Sequence, residues 1–146
     1  MITEFLSRLL QPNPAPLADS DARLALTALL VRIARSDHNY AAVEQDRIDR
    51  ITMARYGLDI GGAALLREEA EALETEAPDT VRFTRAIKDA VAYEDRTAVV
   101  EALWQVALAD GHREAEEDAL LRLATNLLGI SDMDSATVRK RVESQQ

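Results

Sequence analysis

The sequence contains no cysteine. That removes disulfides, thiolate metal ligands and cysteine nucleophiles together, and it suits a reducing compartment such as the cytoplasm. Aromatic residues make up only 4% of the chain, and there are just five glycines and four prolines. The apolar residues, 47% of the total, are dominated by leucine and alanine rather than β-branched types, a mixture that favours helix over strand. No apolar run reaches the roughly 18 residues that a membrane span requires. The opening MITEFLSRLL lacks the basic start and long apolar stretch of a signal peptide, so a cytoplasmic protein without a membrane span is expected. Positive charge is also short. The chain has 17 Lys and Arg against 26 Asp and Glu, a formal charge of -9, which repels phosphate backbones and argues against nucleic acid as a partner.

What is present is helical periodicity. A chain of 146 residues fits one domain, burying about two-thirds of its unfolded surface. Residues 1–18 read as a short amphipathic helix over 2–10 and a linker in which Pro12, Pro14 and Pro16 enforce an extended path; the folded body is expected over 19–146. Helices are predicted over about 19–36, 42–56, 59–77, 79–93, 95–109 and 114–128, with a last one, capped by Ser131 or Asp134, to about 142. Leu26, Leu30 and Ile33 share one stripe, as do Phe83, Ile87 and Val91 and, more broadly, Leu120, Leu123, Ala124, Leu127 and Leu128. Gly57 and Gly129 are positioned as left-handed helix stops, Asp59 as a cap ahead of Gly61 and Gly62, and Trp104 as a core residue beside Val100 and Leu108. The run REEAEALETEA, residues 67–77, reads as a solvated helix face. Seven or eight helices and no strand define an all-α domain.

One stretch carries more charge than a turn needs: ALADGHREAEEDALLRLATNLLG, residues 107–129, has Asp110, Glu114, Glu116, Glu117 and Asp118 around the Asp110-Gly111 break. It has a counterpart in ARSDHNYAAVEQDRI at 34–48. In both, an apolar helix ends in Ala-X-X-Asp and a new helix opens with Glu seven residues after that Asp, Asp37 to Glu44 and Asp110 to Glu117. The chain therefore holds two similar helical hairpins, expected to pack as pseudo-symmetric partners. Residues three and four apart share a helix side. Asp37 follows Ile33 by four and Asp110 follows Ala107 by three, while Glu44 leads Ile48 and Ile51 as Glu117 leads Leu121 and Ala124, so all four acids fall where a core stripe runs out at the rim.

Rims that meet would place four carboxylates in one cleft, a cost that a divalent cation or a basic partner surface relieves. Oxygen donors suit Ca²⁺ or Mg²⁺, and His38 or His112 would widen the choice to Mn²⁺ or Zn²⁺. Helix capping and the macrodipole supply an alternative in which the same acids are structural. The loop is not an EF-hand, which places glycine sixth, whereas Gly111 comes second after Asp110. No nucleophile elbow, phosphate-cradling loop or dinucleotide fingerprint is present.

On ARSDHNYAAVEQDRI at 34–48, YGLD at 56–59, VRFTRAIKDA at 81–90 and LWQVALADGHREAEEDALLRLATNLLGIS at 103–131, the chain resembles the TerB-like tellurite-resistance family of small all-helical bacterial proteins, over residues 20–142. The resemblance implies two related halves, a divalent-metal-binding acidic surface and a place in stress or metal resistance, without catalysis. Its metal residues would be Asp37, Glu44, Asp110 and Glu117, with Glu116 adjacent. His38 stands where the family commonly has glycine, and Tyr40-Ala41-Ala42 lacks the extra acids of the second loop, so the first half-site is the poorer one. The expected function is a non-enzymatic domain that binds a divalent cation or docks a protein partner. A pure interaction module with capping carboxylates is the main alternative, and a metal-dependent hydrolase a third.

Overall fold

The computed structural model describes residues 2–11, 19–35, 40–91, 93–108 and 115–144, with the side chains at 2, 19, 93, 94, 107 and 115–120 outside the description. Among the described residues there are eight helices and no strand: α1 (Ile2–Leu9), α2 (Asp19–Ala34), α3 (Ala42–Tyr56), α4 (Ile60–Glu76), α5 (Thr80–Ala90), α6 (Tyr93–Ala107), α7 (Ala115–Leu127) and α8 (Asp132–Ser144). The all-α expectation holds. The helices stop where the sequence allows a left-handed residue, at Gly57 (φ 66°) and Gly129 (φ 83°). Three of them start where a side chain satisfies an orphan N–H: Gly62 N donates to Asp59 Oδ1 at 2.7 Å, Arg82 N to Asp79 Oδ1 at 3.0 Å, and Asp134 N to Ser131 Oγ at 3.1 Å. Gly62 also sits tight against that cap, since a Cβ there would come within 3.1 Å of Asp59 Oδ1.

The core is one cluster of aliphatic side chains. Leu26, Leu30 and Ile33 of α2, Ile48 of α3, Leu73 of α4, Phe83, Ile87 and the following Val91, and Leu103 of α6 are all buried in it. Phe5, Leu6 and Leu9 belong to the same cluster, so α1 packs onto the body through its apolar stripe, and its neighbour there is α5. Trp104 is a core residue, as expected, and its indole Nε1 donates to the buried Ser135 Oγ at 3.0 Å. Two details differ from the sequence reading. The buried stripe of α7 runs through Leu121, Ala124 and Thr125 to Leu128, and Leu123 is turned out, 39% exposed. Residues 67–77 are solvated on one side only: Glu68, Glu69, Ala72, Thr75 and Glu76 are exposed, but Ala70 and Leu73 are fully buried, and Glu74 pairs with Arg32 of α2 and the following Arg35 at 3.6 and 3.7 Å. A charge-rich helix buries its small and aliphatic residues as readily as any other when an arginine-bearing neighbour meets its acids.

The internal repeat is larger than a hairpin. α2 packs on α3 and α4 as α6 packs on α7 and α8, α3 meets α4 as α7 meets α8, and across the halves α3 contacts α6 as α7 contacts α2. The side chains agree in register. The hairpins are 73 residues apart, and that shift superposes buried Ile48 on Leu121, Ile51 on Ala124 and Thr52 on Thr125. Beyond Gly57 and Gly129 the shift is 72, carrying Asp59 onto Ser131, buried Ala70 onto Val142, and the ion pair Arg67–Glu71 onto Arg139–Glu143. The domain is thus a duplicated three-helix unit, α2–α4 and α6–α8, with α5 between them.

Candidate functional site

Helix directions decide where the two acidic connections leave the bundle. At the start of α2, Arg23 stacks over the ring of Tyr56 at the end of α3, 4.8 Å from its centroid; at the start of α6, Arg96 Nη1 reaches Leu128 O beyond α7 at 3.4 Å. Each hairpin is therefore antiparallel. Arg55, late in α3, donates to Ala98 O, early in α6, at 2.7 Å, which sets α3 against α6 as well. It follows that α2 and α6 run in the same sense. Shared surface agrees, since Ala22 and Leu26 line one groove with Asp95. The C-terminal ends of α2 and α6 and the N-terminal ends of α3 and α7 then lie at one end of the bundle.

Glu44, in the first turn of α3, is the candidate acid whose side chain is described. It is only 2% exposed, on the same side as Ile48. The rim position expected for it is corrected to a buried one, because the stripe that leads through Ile48 to Ile51 does not run out one turn early. Asp37 and Asp110 lie outside the described residues, as do His38 and His112. Glu116 and Glu117 fall in the first turn of α7, with side chains outside the description. Among the described residues no group of three or more His, Cys, Asp or Glu is arranged to hold a metal ion.

Around the first connection stands a network that sequence reasoning missed. The Arg67 guanidinium of α4 donates from Nε to Asp49 Oδ1 of α3 at 2.8 Å and from Nη1 to Glu71 Oε2 at 3.2 Å. Burial alone favours loss of its proton, but the hydrogen bond and charge of Asp49, followed by the charge of Glu71, outweigh that and hold the group protonated. Arg35, just past the end of α2, stacks on the Tyr40 ring at 5.1 Å and donates to Thr75 Oγ1 at 3.2 Å. The Tyr40 hydroxyl is buried without a hydrogen bond of ordinary geometry; burial, then the neighbouring Glu71, pushes its pKa above that of free tyrosine. Arg35 and Tyr40, on either side of residues 36–39, are thereby tied to α4. A signal for this existed in the sequence, in the recurrence of Arg67 and Glu71 as Arg139 and Glu143.

These features define a class: an all-helical domain made of two equivalent three-helix units, whose paired acidic motifs open the second helix of each. Residues 23–140 match the family described as Tellurite resistance protein TerB, and the chain belongs to that family. The matched region begins within α2 and ends within α8, so it spans both units and leaves α1 outside. No curated protein and no solved structure matches the chain. No helix among the described residues is long and apolar enough to cross a membrane.

Proposed function

We propose that this domain is a non-enzymatic, cytoplasmic divalent-cation-binding module of metal or tellurite stress resistance, with Asp37, Glu44, Asp110 and Glu117 as ligands and Glu116 adjacent. The observation that carries the reading is the burial of Glu44. A buried carboxylate keeps company with cationic or hydrogen-bonding groups, and a divalent cation is one that carboxylate oxygens suit. Its location fits the role, at the end of the bundle from which both acidic connections depart. The donor set fits as well, because carboxylate oxygens suit Ca²⁺ and Mg²⁺, with His38 and His112 extending the range to Mn²⁺ and Zn²⁺. The cation would supply charge balance between the two halves, and a cation-dependent end of the bundle is a natural place for a protein partner to sense metal.

One observation favours a second reading. Ala41, the N-cap of α3, makes no side-chain cap bond, and the helix dipole favours a first-turn acid such as Glu44 there. Titration calorimetry of chelator-stripped protein with Ca²⁺, Mg²⁺, Mn²⁺ and Zn²⁺ separates the two. Cation binding predicts heat and a raised melting temperature for at least one ion, both lost in Glu44→Gln/Glu117→Gln. Silence from all four ions sinks the proposal. A loss of about 0.3–1 kcal/mol in the variant, without any ion effect, leaves the acids as caps.

A further inference from the structure

The duplication creates two equivalent grooves, and among the described residues only one of them is filled. In the second half α5 packs against both α7 and α2, burying Phe83, Ile87 and Ala90. Phe83 lies under the Arg32 guanidinium at 5.4 Å, and Lys88 runs past Gly129. The equivalent groove, between α3 and α6, has Ala98, Glu101 and Gln105 on one wall. On α2 the corresponding residues are Ala25, Ala28 and Arg32, and the two alanines there are fully buried. The α3 wall presents Arg47, Arg50 and Arg55 around a strip of Ile51 and Ala54. Arg50, Ala54 and Arg55 are exposed. α1 precedes α2 as α5 precedes α6, yet it packs against α5 and does not occupy this groove.

We propose that the open α3–α6 groove docks an acidic amphipathic helix of a partner protein. The shape has a precedent within the chain, since the equivalent groove holds a helix of 11 residues that contributes one stripe of Phe, Ala and Ile. Charge selects the occupant. At the positions that α7 fills with Leu123 and Leu127, α3 has Arg50 and Ala54, and Arg47 stands at the position of Leu120. Neither Arg47 nor Arg50 forms an ion pair among the described residues. Glu101, the one acid of the lining, is engaged by Arg141 Nη2 of α8 at 3.4 Å. A chain of net charge -9 therefore keeps a groove of local positive charge with a narrow apolar floor. Carboxylates flanking a short apolar stripe meet that combination, and complementary charge would speed the encounter.

The probe is a stapled, fluorescein-labelled peptide of residues 80–90 carrying Arg82→Glu, Arg85→Glu and Lys88→Glu, which keeps the apolar stripe of α5 and makes its flanks acidic. Saturable binding by fluorescence polarisation is expected, with amide shifts concentrated on Arg47, Ile51, Ala54, Ala98 and Gln105. Arg47→Glu/Arg50→Glu should weaken it by roughly tenfold or more, the scale of a hot-spot loss. Ala54→Trp, which fills the groove without altering charge, should also block it. Absence of binding, equal binding by either variant, equal binding of a polyglutamate peptide, or shifts elsewhere would overturn the proposal. The docking is independent of the cation reading, because ion calorimetry and peptide polarisation can each fail alone.

Discussion

Two arginine–glutamate pairs at equivalent places in the repeat provide an internal control on how burial sets the worth of an ion pair. Arg67 is 17% exposed and bridges Asp49 (16%) and Glu71 (21%), joining α4 to α3. Its counterpart Arg139 faces only Glu143, at 3.4 Å, and the two are 30% and 47% exposed. Replacement of each arginine by methionine keeps most of the stem and removes the charge. Removing one member of a buried pair costs about 3–5 kcal/mol. The Arg67 site retains some water, so about 3 kcal/mol is expected for Arg67→Met. For Arg139→Met the exposed helical pair contributes about 0.3–0.5 kcal/mol. Its stacking over Trp104 at 5.7 Å adds about 0.5–1 kcal/mol, giving a loss near 1 kcal/mol. At about 2–4 °C per kcal/mol for a chain of this size, the melting temperatures should fall by roughly 6–12 °C and 2–4 °C. Urea unfolding followed by far-UV circular dichroism and by the single tryptophan reads both, with unchanged slopes expected. Equal losses for the two variants, or a loss below about 1 kcal/mol at Arg67, would refute the argument that burial separates them.

Two further outcomes follow from the same side chains. The Tyr40 phenol has its folded pKa raised above the ordinary 10.0, so its contribution to stability is present below that pH and is lost as pH rises through the folded value. Burial raises Tyr56 too, so ultraviolet titration of the folded protein should show both tyrosines ionising late, and Tyr40→Phe should reduce the late step by one phenol. Ser135→Ala leaves the buried Trp104 Nε1 without its 3.0 Å acceptor, which should cost about 1–3 kcal/mol and shift the tryptophan emission without changing helix content.

Element type and helix ends were legible because each is written locally. Gly57 and Gly129 adopt the positive φ that stops a helix, and Asp59 and Ser131 supply the caps their positions suggested. Face assignments were legible where one stripe dominates, as in Phe83, Ile87 and Val91. They failed on α7, where leucines at 120, 121, 123, 127 and 128 spread over an arc of about 160°, and only a neighbour decides that Leu121 goes in and Leu123 stays out. Periodicity likewise tells which side of α4 is apolar but not that Arg32 and Arg35 wait opposite Glu74, or Asp49 opposite Arg67. The third helix of each unit was hidden because α4 and α8 match chiefly in which positions are buried, Ala63 with Ser135 and Ala70 with Val142, and in a single Arg–Glu pair. Of the candidate ligands, Glu44 was legible by spacing, but its full burial depends on packing that no spacing encodes.

The parallel course of α2 and α6 has a bearing on the field at the end of the bundle. Two helix C-termini and two helix N-termini lie there, each worth about half an elementary charge, negative for the former and positive for the latter. Summed over the four, the backbone contribution nearly vanishes. Those four ends offset one another and leave the field to the side chains and to the C-terminal end of α4, whose Glu74 carbonyl already accepts from Arg32 Nη2 at 3.2 Å.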